Sequence, residues 1–492
     1  MIYLILFVVT IVLRIPFMSE AFYYIDKVYY VHSLKYFMPT GGLPCSSGYI
    51  LWIHLAKLFL PFVGDPYQTF VTLSVISSGA ATCLLYRLGH IMFSKRAALY
   101  GALLFMTSPL IWFHGCIGFS YMFVAMFSLL LVILVYQSIQ TKEVLYAYLA
   151  SLVYGLLGGF RPQDMPILFF VWLLAIWRLP LKHLVGCLAL SCLAVLYWLY
   201  PLAQFSGGLS AFIESYFQGN GGILSSDPIE IVNRIGGNCE KFFKFLIRGL
   251  GLSFPLFIWA GYRFKKDVIM MKDPRVRVLG AWLFPSLIFF LGLYLGNPGH
   301  MFASFPIYFL IVGFTLAYYL KLRIQIYVLS GMILVNASLF LVDLKPNESW
   351  EKITWYKASD INKRNRDLLD KVEYIKENFE AETTLILGDL GGRGHLFQIA
   401  YYLPEFSCLA LPLTSSPDDN QYQLLIKQRP LVKLQGGRAL DLQGIKTLIF
   451  LDKDLIALAK KKFKLKEVSM KHNSKLYWID VNNRQEWNWR VL

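Results

Sequence analysis

The sequence predicts an α-helical polytopic membrane protein with a C-terminal soluble α/β domain. Of its 492 residues, 56% are hydrophobic and only 16% are charged, whereas about a quarter of the residues of a soluble domain are usually charged. The apolar residues form long stretches such as Tyr67–Phe93, Leu181–Ala203 and Ile324–Val342. Because about 20 apolar residues span a bilayer of about 30 Å, this pattern argues against a secreted globular enzyme.

Charge density divides the chain into two predicted domains, 1–343 and 344–492. The second domain holds 24 Lys and Arg and 19 Asp and Glu, as ordinary soluble sequence does, whereas the first holds 23 and 12. A net charge of +16 is compatible with nucleic-acid binding, but charges scattered over short loops between apolar segments follow membrane topology instead. We therefore expect membrane lipids as partners and no nucleic acid.

Twelve apolar segments lie in the first domain, and eleven of them are predicted to cross the membrane. They occupy 1–17, 48–63, 67–93, 97–113, 118–137, 143–159, 163–178, 181–203, 242–262, 278–296, 302–320 and 323–343. Segment 48–63 is short and contains His54, Lys57 and Pro61, so we expect it to be re-entrant or interfacial. The positive-inside rule, with Arg263–Arg277 as the most basic loop, then predicts a multi-pass cytoplasmic-membrane protein. Its amino terminus would be cytoplasmic and its C-terminal domain extracytoplasmic.

This topology places the chemistry at the outer face. Two long loops, 19–47 and 204–241, face outward, and the glycine-rich second loop is either a lid or a plain connector. The outward-facing polar residues are Asp26, His32, His114, Arg161, Asp164, Asp227, Glu230 and His300. The seven cysteines lack zinc-type spacing, so we expect no metal cluster.

The tail alternates helical and strand-like segments. Helices are predicted at 360–379, 395–403 and 454–462, and strands at 383–388, 447–451 and 476–481. Such alternation indicates a parallel or mixed sheet. The stretch Gly388–Gly394 lacks both the dinucleotide-binding and the Walker pattern, so we interpret it as a tight turn. The basic stretch Lys460–Lys466 is interpreted as a solvated helix end or a surface that touches anionic headgroups.

Asp26 is the first candidate catalytic residue. It lies in Ala21–Phe37, an aromatic-rich stretch that we expect to form an interfacial helix with Asp26, Tyr29 and Tyr30 on neighbouring positions. A carboxylate at a desolvated site can accept a proton from an attacking hydroxyl or hold a cation. The alternative is a solvated charge beside Lys27.

Arg161 is the second candidate and lies in Gly158–Asp164, with the sequence GGFRPQD. The glycines permit close backbone approach and Pro162 interrupts the helix, while the planar guanidinium suits a pair of phosphate oxygens. The alternative is an interfacial arginine that anchors the span to headgroups.

Together with the stretch Pro44–Phe59, these motifs resemble the GT-C superfamily of membrane glycosyltransferases. The similarity is greatest to the bacterial branch related to protein O-mannosyltransferases and lipid A aminoarabinose transferases. Members carry an acid in an aromatic first outer loop, often followed by a His-Pro-Pro-Gly-Tyr stretch. Ser46–Tyr49 is similar to the end of that stretch, but the His and the paired prolines are missing.

The resemblance implies transfer of a sugar, with inversion, from a polyprenyl-phosphate donor to an acceptor lipid, glycan or protein at the outer face. Asp26 would deprotonate the acceptor hydroxyl, and Arg161 would bind the donor phosphate. Many relatives have a second acid in the next outer loop, whereas His114–Tyr121, HGCIGFSY, has none. We therefore expect no required cofactor, with a divalent cation beside Asp26 left open.

Five further residues are candidate substrate contacts. His300, in the sequence NPGHM, would hydrogen-bond the donor phosphate or a sugar hydroxyl, or else merely cap a Pro-Gly turn. His114 has the same two interpretations. Asp164 either pairs with Arg161 or caps the helix after Pro162, and we prefer the cap. Tyr29 and Tyr30 complete the set.

Two other functions compete with the transferase. A transporter or flippase for a lipid-linked substrate should carry polar residues deep within several spans, whereas here they gather at the outer ends. A non-catalytic scaffold displaying the α/β domain would be unaffected by Asp26→Asn. The sugar, the polyprenol and the acceptor depend on loop shape and cannot be named from these motifs.

Overall fold

The computed structural model describes residues 1–37, 49–219, 228–267, 273–343, 356–389, 395–411, 434–435, 439–441, 444–471, 475–481 and 486–488. The chain divides into two compact units. The first comprises Met1–Ser19 and Tyr30–Asp360, and the second comprises Glu20–Tyr29 and Ile361–Leu492. The second unit therefore takes in a short segment from near the amino terminus, which the sequence did not predict. The predicted domain boundary at residue 344 lies in 344–355, outside the described residues.

The part of the chain before residue 344 is helical, as predicted. Its helices are α1 Ile2–Arg14, α2 Ile25–Ser33, α3 Ile50–Val63, α4 Pro66–Met92, α5 Lys95–Thr107, α6 Pro109–Gly115, α7 Tyr121–Thr141, α8 Val144–Phe160, α9 Asp164–Ile176, α10 Leu181–Phe205, α11 Leu209–Gly219, α12 Pro228–Leu250, α13 Phe254–Asp267, α14 Pro274–Ile288, α15 Pro306–Tyr319 and α16 Leu322–Leu341. Short 3₁₀ turns follow α1 and α12 and precede α15, and α14 continues as a π-helix over Phe289–Leu293.

Local sequence explains where several of these helices begin. Asp65 and Asp273 each precede a proline at the first helical position, and their carboxylates accept the N–H groups of Gln68 at 2.7 Å and Arg275 at 2.8 Å. Such acceptors satisfy N–H groups that have no partner within the helix. Ser108 caps α6 in the same way, immediately after α5, and the two helices meet at an angle of 62°.

Close backbone packing joins neighbouring helices of the first unit. A Cβ placed on Gly313 of α15 would lie 2.5 Å from the carbonyl oxygen of Ala97 in α5. A Cβ on Gly155 of α8 would lie 2.6 Å from the carbonyl oxygen of Ser191 in α10. Small residues at such crossings are typical of helix packing in membranes, where van der Waals contact replaces the hydrophobic effect.

The fold class of a multi-pass membrane protein is confirmed by the helices. Within the described residues, six helical stretches are long and apolar enough to cross a membrane, or seven if the bent pair α5–α6 is one span. Five shorter apolar helices, among them α3, accompany them. The count of eleven spans and the re-entrant nature of α3 stay predictions.

Part of the predicted outer loop 204–241 is helical, and its place outside the membrane stays a prediction. It contains α11, and α12 begins at Pro228 and continues through residues 242–250 of the predicted apolar segment 242–262. The charged side chains from Glu230 onward disguised this helix, because the apolar run that marks the span starts only near Phe242.

The second unit is built on a mixed five-stranded sheet in the order β2-β1-β5-β7-β6. Its elements are α17 Ala358–Asn378, β1 Thr384–Asp389, α18 Leu396–Tyr402, β2 Ser407–Leu411, β3 Leu434–Gln435, β4 Ala439–Asp441, β5 Thr447–Phe450, α19 Lys453–Lys460, β6 Lys466–Ser469, β7 Lys475–Asp480 and β8 Glu486–Asn488. Strand β1 pairs in parallel with β2 and β5, whereas β7 runs antiparallel to β5 and β6. The expected α/β tail is thus confirmed. Strands β3, β4 and β8 form a separate small sheet.

Candidate active site

Arg161 lies where α8 ends against two other helices of the first unit. A Cβ on Gly159 would come within 2.5 Å of the Leu51 side chain, and one on Gly158 within 2.5 Å of Trp198. The glycine pair therefore lets the end of α8 reach α3 and α10. Arg161 then leaves the helix with an extended backbone, at φ −163° and ψ 96°, which turns its side chain away from the helix direction.

The Arg161 guanidinium is buried, with 1% of the residue exposed, and among the described residues only its Nη1 makes a hydrogen bond. Nη1 donates a hydrogen bond of 2.9 Å to the Gly299 carbonyl oxygen, and the guanidinium carbon lies 5.1 Å from the centre of the Tyr121 ring. Nε has no hydrogen-bond partner among the described residues. A guanidinium carries five N–H donors, so this side chain retains the capacity to bind an anion.

Asp164 is paired with Arg161 and is not the helix cap that we expected. Gln163 occupies the N-cap position of α9, and Asp164 is the first helical residue. Its carboxylate is 0% exposed, lies 3.7 Å from Arg161 Nη1, and accepts no hydrogen bond from the described residues. A buried carboxylate without a partner is costly. The nearby Arg161 cation explains why the fold tolerates the buried Asp164 carboxylate.

The motifs NPGHM and HGCIGFSY meet beneath this guanidinium. Asn297 accepts the Gly299 N–H at 2.9 Å, which holds the turn. A Cβ on Gly299 would lie 2.0 Å from the Tyr121 ring, so only glycine fits against that ring. In this arrangement the Gly299 carbonyl faces Arg161, and the Tyr121 ring packs against both Gly299 and the guanidinium.

His300 follows this turn and lies near Arg161. Its Nδ1 accepts the Gly296 N–H at 3.3 Å, and its ring tilts against Tyr294 with centroids 5.1 Å apart. Burial, and then the charge of Arg161, hold the pKa of His300 well below its ordinary value. The imidazole is therefore neutral, and because Nδ1 is an acceptor its proton must lie on Nε2. His300 can thus donate a hydrogen bond but supplies no positive charge.

His114 lies among aromatic rings in the short helix α6. Its Nδ1 is 2.9 Å from the Leu110 carbonyl oxygen one turn earlier. Its ring centre is 5.5 Å from that of Tyr121, 5.0 Å from Phe302 and 5.4 Å from Tyr356. These contacts support the Tyr121 ring from the side, and direct contact of His114 with substrate stays a prediction.

Tyr49 connects the first motif of the resemblance to the Arg161 turn. Gln163 donates a hydrogen bond of 3.3 Å to the Tyr49 hydroxyl, and the Tyr49 and Tyr30 rings are 5.9 Å apart. Tyr49 has φ +39°, a left-handed conformation that is strained for a bulky residue and is often found at functional sites. We did not single out this residue from the sequence, and the rest of its motif, 46–48, lies outside the described residues.

An apolar groove of about 650 Å³ runs between α9 and α14. Its wall on α9 extends from Pro166, two residues after Asp164, to Trp177. Its opposite wall includes Gly280 and the exposed ring of Phe284. The α9 wall of the groove therefore begins two residues after Asp164 in the sequence, and the groove is lined almost wholly by apolar side chains.

Asp26 and Tyr29 belong to the second unit. Asp26 is half-buried in the first turn of α2, where the helix dipole favours a negative charge. Burial nevertheless raises the pKa of the Asp26 carboxyl, and the charge of Lys27 only partly opposes the rise. The expected helix over 21–37 is shorter, because only Ile25–Ser33 is helical. The Tyr29 ring packs on Phe397, with centroids 6.0 Å apart.

Solved structures with the same architecture are found among membrane glycosyltransferases. ArnT from Cupriavidus metallidurans bound to undecaprenyl phosphate matches with a TM-score of 0.58 at 12% identity, covering 97% of this chain and 96% of that one. The same enzyme in the apo state matches with a TM-score of 0.60. The apo oligosaccharyltransferase from Archaeoglobus fulgidus gives a TM-score of 0.51 at 12% identity, covering 91% of this chain and 69% of that one.

The chain has the GT-C fold. The expectation from the sequence motifs is therefore confirmed at the level of the fold. No protein-family model matches the sequence, and no curated protein is detectably similar to it. At 12% identity, the similarity to GT-C enzymes carries no residue roles, which rest on the geometry described above.

Two buried arginines of this GT-C chain escaped the sequence analysis. Arg14, at the end of α1, is 0% exposed and donates to the carbonyl oxygens of Thr10 at 3.0 Å and Met106 at 3.4 Å. Arg248, in α12, is 5% exposed, and its guanidinium lies 5.9 Å from the centre of the Tyr356 ring. Arg14 lies near the end of the apolar segment 1–17 and looks like an ordinary membrane anchor. Arg248 lies inside the segment 242–262, where an arginine is itself a signal of burial in the protein that the sequence analysis did not use.

Proposed function

We propose that this protein transfers a sugar from a polyprenyl-phosphate donor to an acceptor at the outer face of a cytoplasmic membrane, with inversion. The GT-C fold supports the reaction class. One of the similar structures is ArnT bound to undecaprenyl phosphate, which favours the same donor class here. The distribution of basic residues supports a cytoplasmic amino terminus and an extracytoplasmic C-terminal domain.

The observation that carries the proposal is the buried, under-used guanidinium of Arg161. Its desolvation strengthens any charge interaction that it makes, and Asp164 stands at 3.7 Å without a hydrogen bond. A phosphate oxygen would provide an acceptor for Nε, which has none among the described residues. As the glycosidic bond breaks, negative charge grows on the leaving phosphate, and a fixed cation stabilises it.

We propose Asp26 as the general base. Its carboxylate takes the proton of the acceptor hydroxyl while the acceptor oxygen forms a bond to the anomeric carbon. The bond from that carbon to the phosphate oxygen breaks, and its electron pair leaves with the polyprenyl phosphate. This single displacement inverts the anomeric centre. A raised pKa suits the role, because a base works best when its pKa lies near the operating pH.

The groove between α9 and α14 is proposed to hold the polyprenyl chain. Its lining is apolar and begins at Pro166, two residues after Asp164 in the sequence, so the polyprenyl chain would lie in the groove while its phosphate binds Arg161. His300 would donate its Nε2 proton to a phosphate or sugar oxygen. No divalent cation is required in this scheme, and turnover should survive chelation with EDTA.

The test follows release of polyprenyl phosphate by mass spectrometry in nanodiscs. A panel of polyprenyl-phosphate sugars is supplied with cell-envelope extract as the source of acceptor. Wild type should release polyprenyl phosphate from one donor, while Asp26→Asn and Arg161→Met should not. Glu143→Gln, which removes an exposed carboxylate, is the matched control and should retain activity. Folded wild-type protein that releases nothing from any donor would refute the proposal and direct attention to lipid translocation.

A further inference from the structure

The segment that carries Asp26 is structurally part of the C-terminal unit. Residues Glu20–Tyr29 cluster with Ile361–Leu492, although more than 300 residues of chain separate them. Ala21, Phe22 and Tyr23 are buried, with exposures of 0%, 1% and 8%. The segment is therefore packed and held, not a free loop on the way from α1 to α2.

Helix α18 contacts this segment on both sides of Asp26. Before Asp26, the Phe22 ring meets Tyr401 edge to face, with centroids 4.9 Å apart at 86°. After it, Tyr29 meets Phe397 at 6.0 Å. Phe397 and Tyr401 are four residues apart and so share one face of α18. Edge-to-face pairs have preferred geometry, so these contacts fix the orientation of the segment as well as its position.

Arg364 of α17 provides a third contact, immediately before the helix of Asp26. Its guanidinium carbon lies 5.1 Å from the centre of the Tyr23 ring and 5.3 Å from that of Tyr24. The two rings pack edge to face at 4.7 Å. Arg364 Nε is buried and has no hydrogen-bond partner among the described residues, so the two rings are its main ligands. A cation this close to two ring centres is attracted to both rings and helps to hold them in place.

We propose that the C-terminal unit sets the position of the catalytic carboxylate, with Arg364 as a positioning residue acting through Tyr23 and Tyr24. The inference rests on the proposed function of Asp26. It gives the α/β domain a role in the chemical step, in place of a role in acceptor access or partner docking alone. A carboxylate misplaced by about 1 Å loses about 100-fold in rate, so three ring contacts around Asp26 matter for turnover.

The kinetic test compares Arg364→Met, Arg364→Lys and the control Arg366→Met, whose parent side chain is exposed on the same helix. Arg364→Met should lower kcat about 10- to 100-fold while the KM for the donor stays unchanged, because Arg364 does not touch the donor. It should also move the acid limb of the pH–rate profile, since the surroundings of Asp26 change. Arg364→Lys, which keeps a cation over the rings, should recover part of kcat. Equal kcat values for Arg364→Met and Arg366→Met would overturn the proposal.

A second measurement does not depend on turnover. In an Asp26→Cys background, a polar maleimide modifies residue 26, and the peptide that contains it is quantified by mass spectrometry. Adding Arg364→Met should raise the modification rate several-fold, and adding Arg366→Met should leave it unchanged. An unchanged rate with Arg364→Met refutes the positioning role even in an active enzyme. A raised rate together with an inactive wild type would instead uphold the positioning contact and reject the proposed transferase function.

Discussion

Removing the Arg161 guanidinium should destabilise the protein chiefly through the carboxylate that it leaves behind. Arg161→Met preserves the apolar stem but loses a charge-assisted hydrogen bond to Gly299, worth about 1.5–3 kcal/mol. It also loses the contact with the Tyr121 ring, worth about 0.5–2 kcal/mol. With Asp164 0% exposed, breaking the pair falls in the range of about 3–5 kcal/mol measured for buried ion pairs.

The same geometry predicts strong coupling between the two positions. Asp164→Asn removes the stranded charge while keeping the shape, so adding it to Arg161→Met should recover about 1–3 kcal/mol. The assay is reversible unfolding in mixed micelles with increasing SDS, applied to the wild type, both single variants and the double variant.

The exposed pair Lys466 and Asp480, at 58% and 46% exposure, serves as the control cycle. Its coupling should stay below about 1 kcal/mol. Additive effects of Arg161→Met and Asp164→Asn, with coupling as small as in the control pair, would refute the argument that Arg161 compensates the buried carboxylate.

Three further predictions concern turnover. Gly299→Ala places a Cβ 2.0 Å from the Tyr121 ring, so the turn at residue 299 or the Tyr121 ring must move. In donor titrations kcat/KM should therefore fall about tenfold or more. Gly280→Leu fills the apolar groove without a backbone clash, its Cβ standing 3.6 Å from the nearest side-chain atom. Gly280→Leu should raise the KM for long-chain donors and leave the KM for short-chain donors unchanged. The control Gly331→Leu, which has open space around it, should leave both KM values unchanged. An equal rise in KM for short-chain donors with Gly280→Leu would contradict the groove assignment. Because burial raises the pKa of Asp26, its base function should be lost as pH falls through a value above the ordinary carboxyl pKa of about 3.9. A pH–rate profile with its acid limb at or below that value would contradict this.

Regular local patterns made much of the fold predictable. The tail elements from α17 to β7 that we expected appear within a few residues of their predicted bounds, because alternation and helical periodicity are strong there. Short β2 and β6 were missed, since four or five residues carry little periodic signal. The charged first half of helix α12 was not predicted as helical, because it resembles a loop in sequence although its charges lie on an amphipathic helix.

The candidate site was predictable only where a motif carried it. GGFRPQD drew attention to Arg161, yet its contact with Tyr121 arises from tertiary packing, which one sequence does not reveal. The contact between Phe22 and Tyr401 is a second example. These residues are nearly 380 positions apart, and neither stands out in the sequence from the many other aromatic residues. Asp164 was predicted to cap a helix, whereas it pairs with Arg161. The sequence could not separate the two roles, because an acid three residues after an arginine fits both a helix start and an ion pair.

The short helices that end near Arg161 have a consequence for the surrounding lipid. Helix α8 has 17 residues and α9 has 13, which corresponds to lengths of about 25 Å and 20 Å. In the predicted topology both cross the membrane, and both are shorter than the hydrocarbon thickness of about 30 Å. A bilayer relieves such a hydrophobic mismatch by thinning around the protein, so headgroups would dip toward the end of α8. The protein should therefore favour membranes with short acyl chains, and an annulus of compressed lipid would lower a phosphate carried on a lipid toward the buried guanidinium.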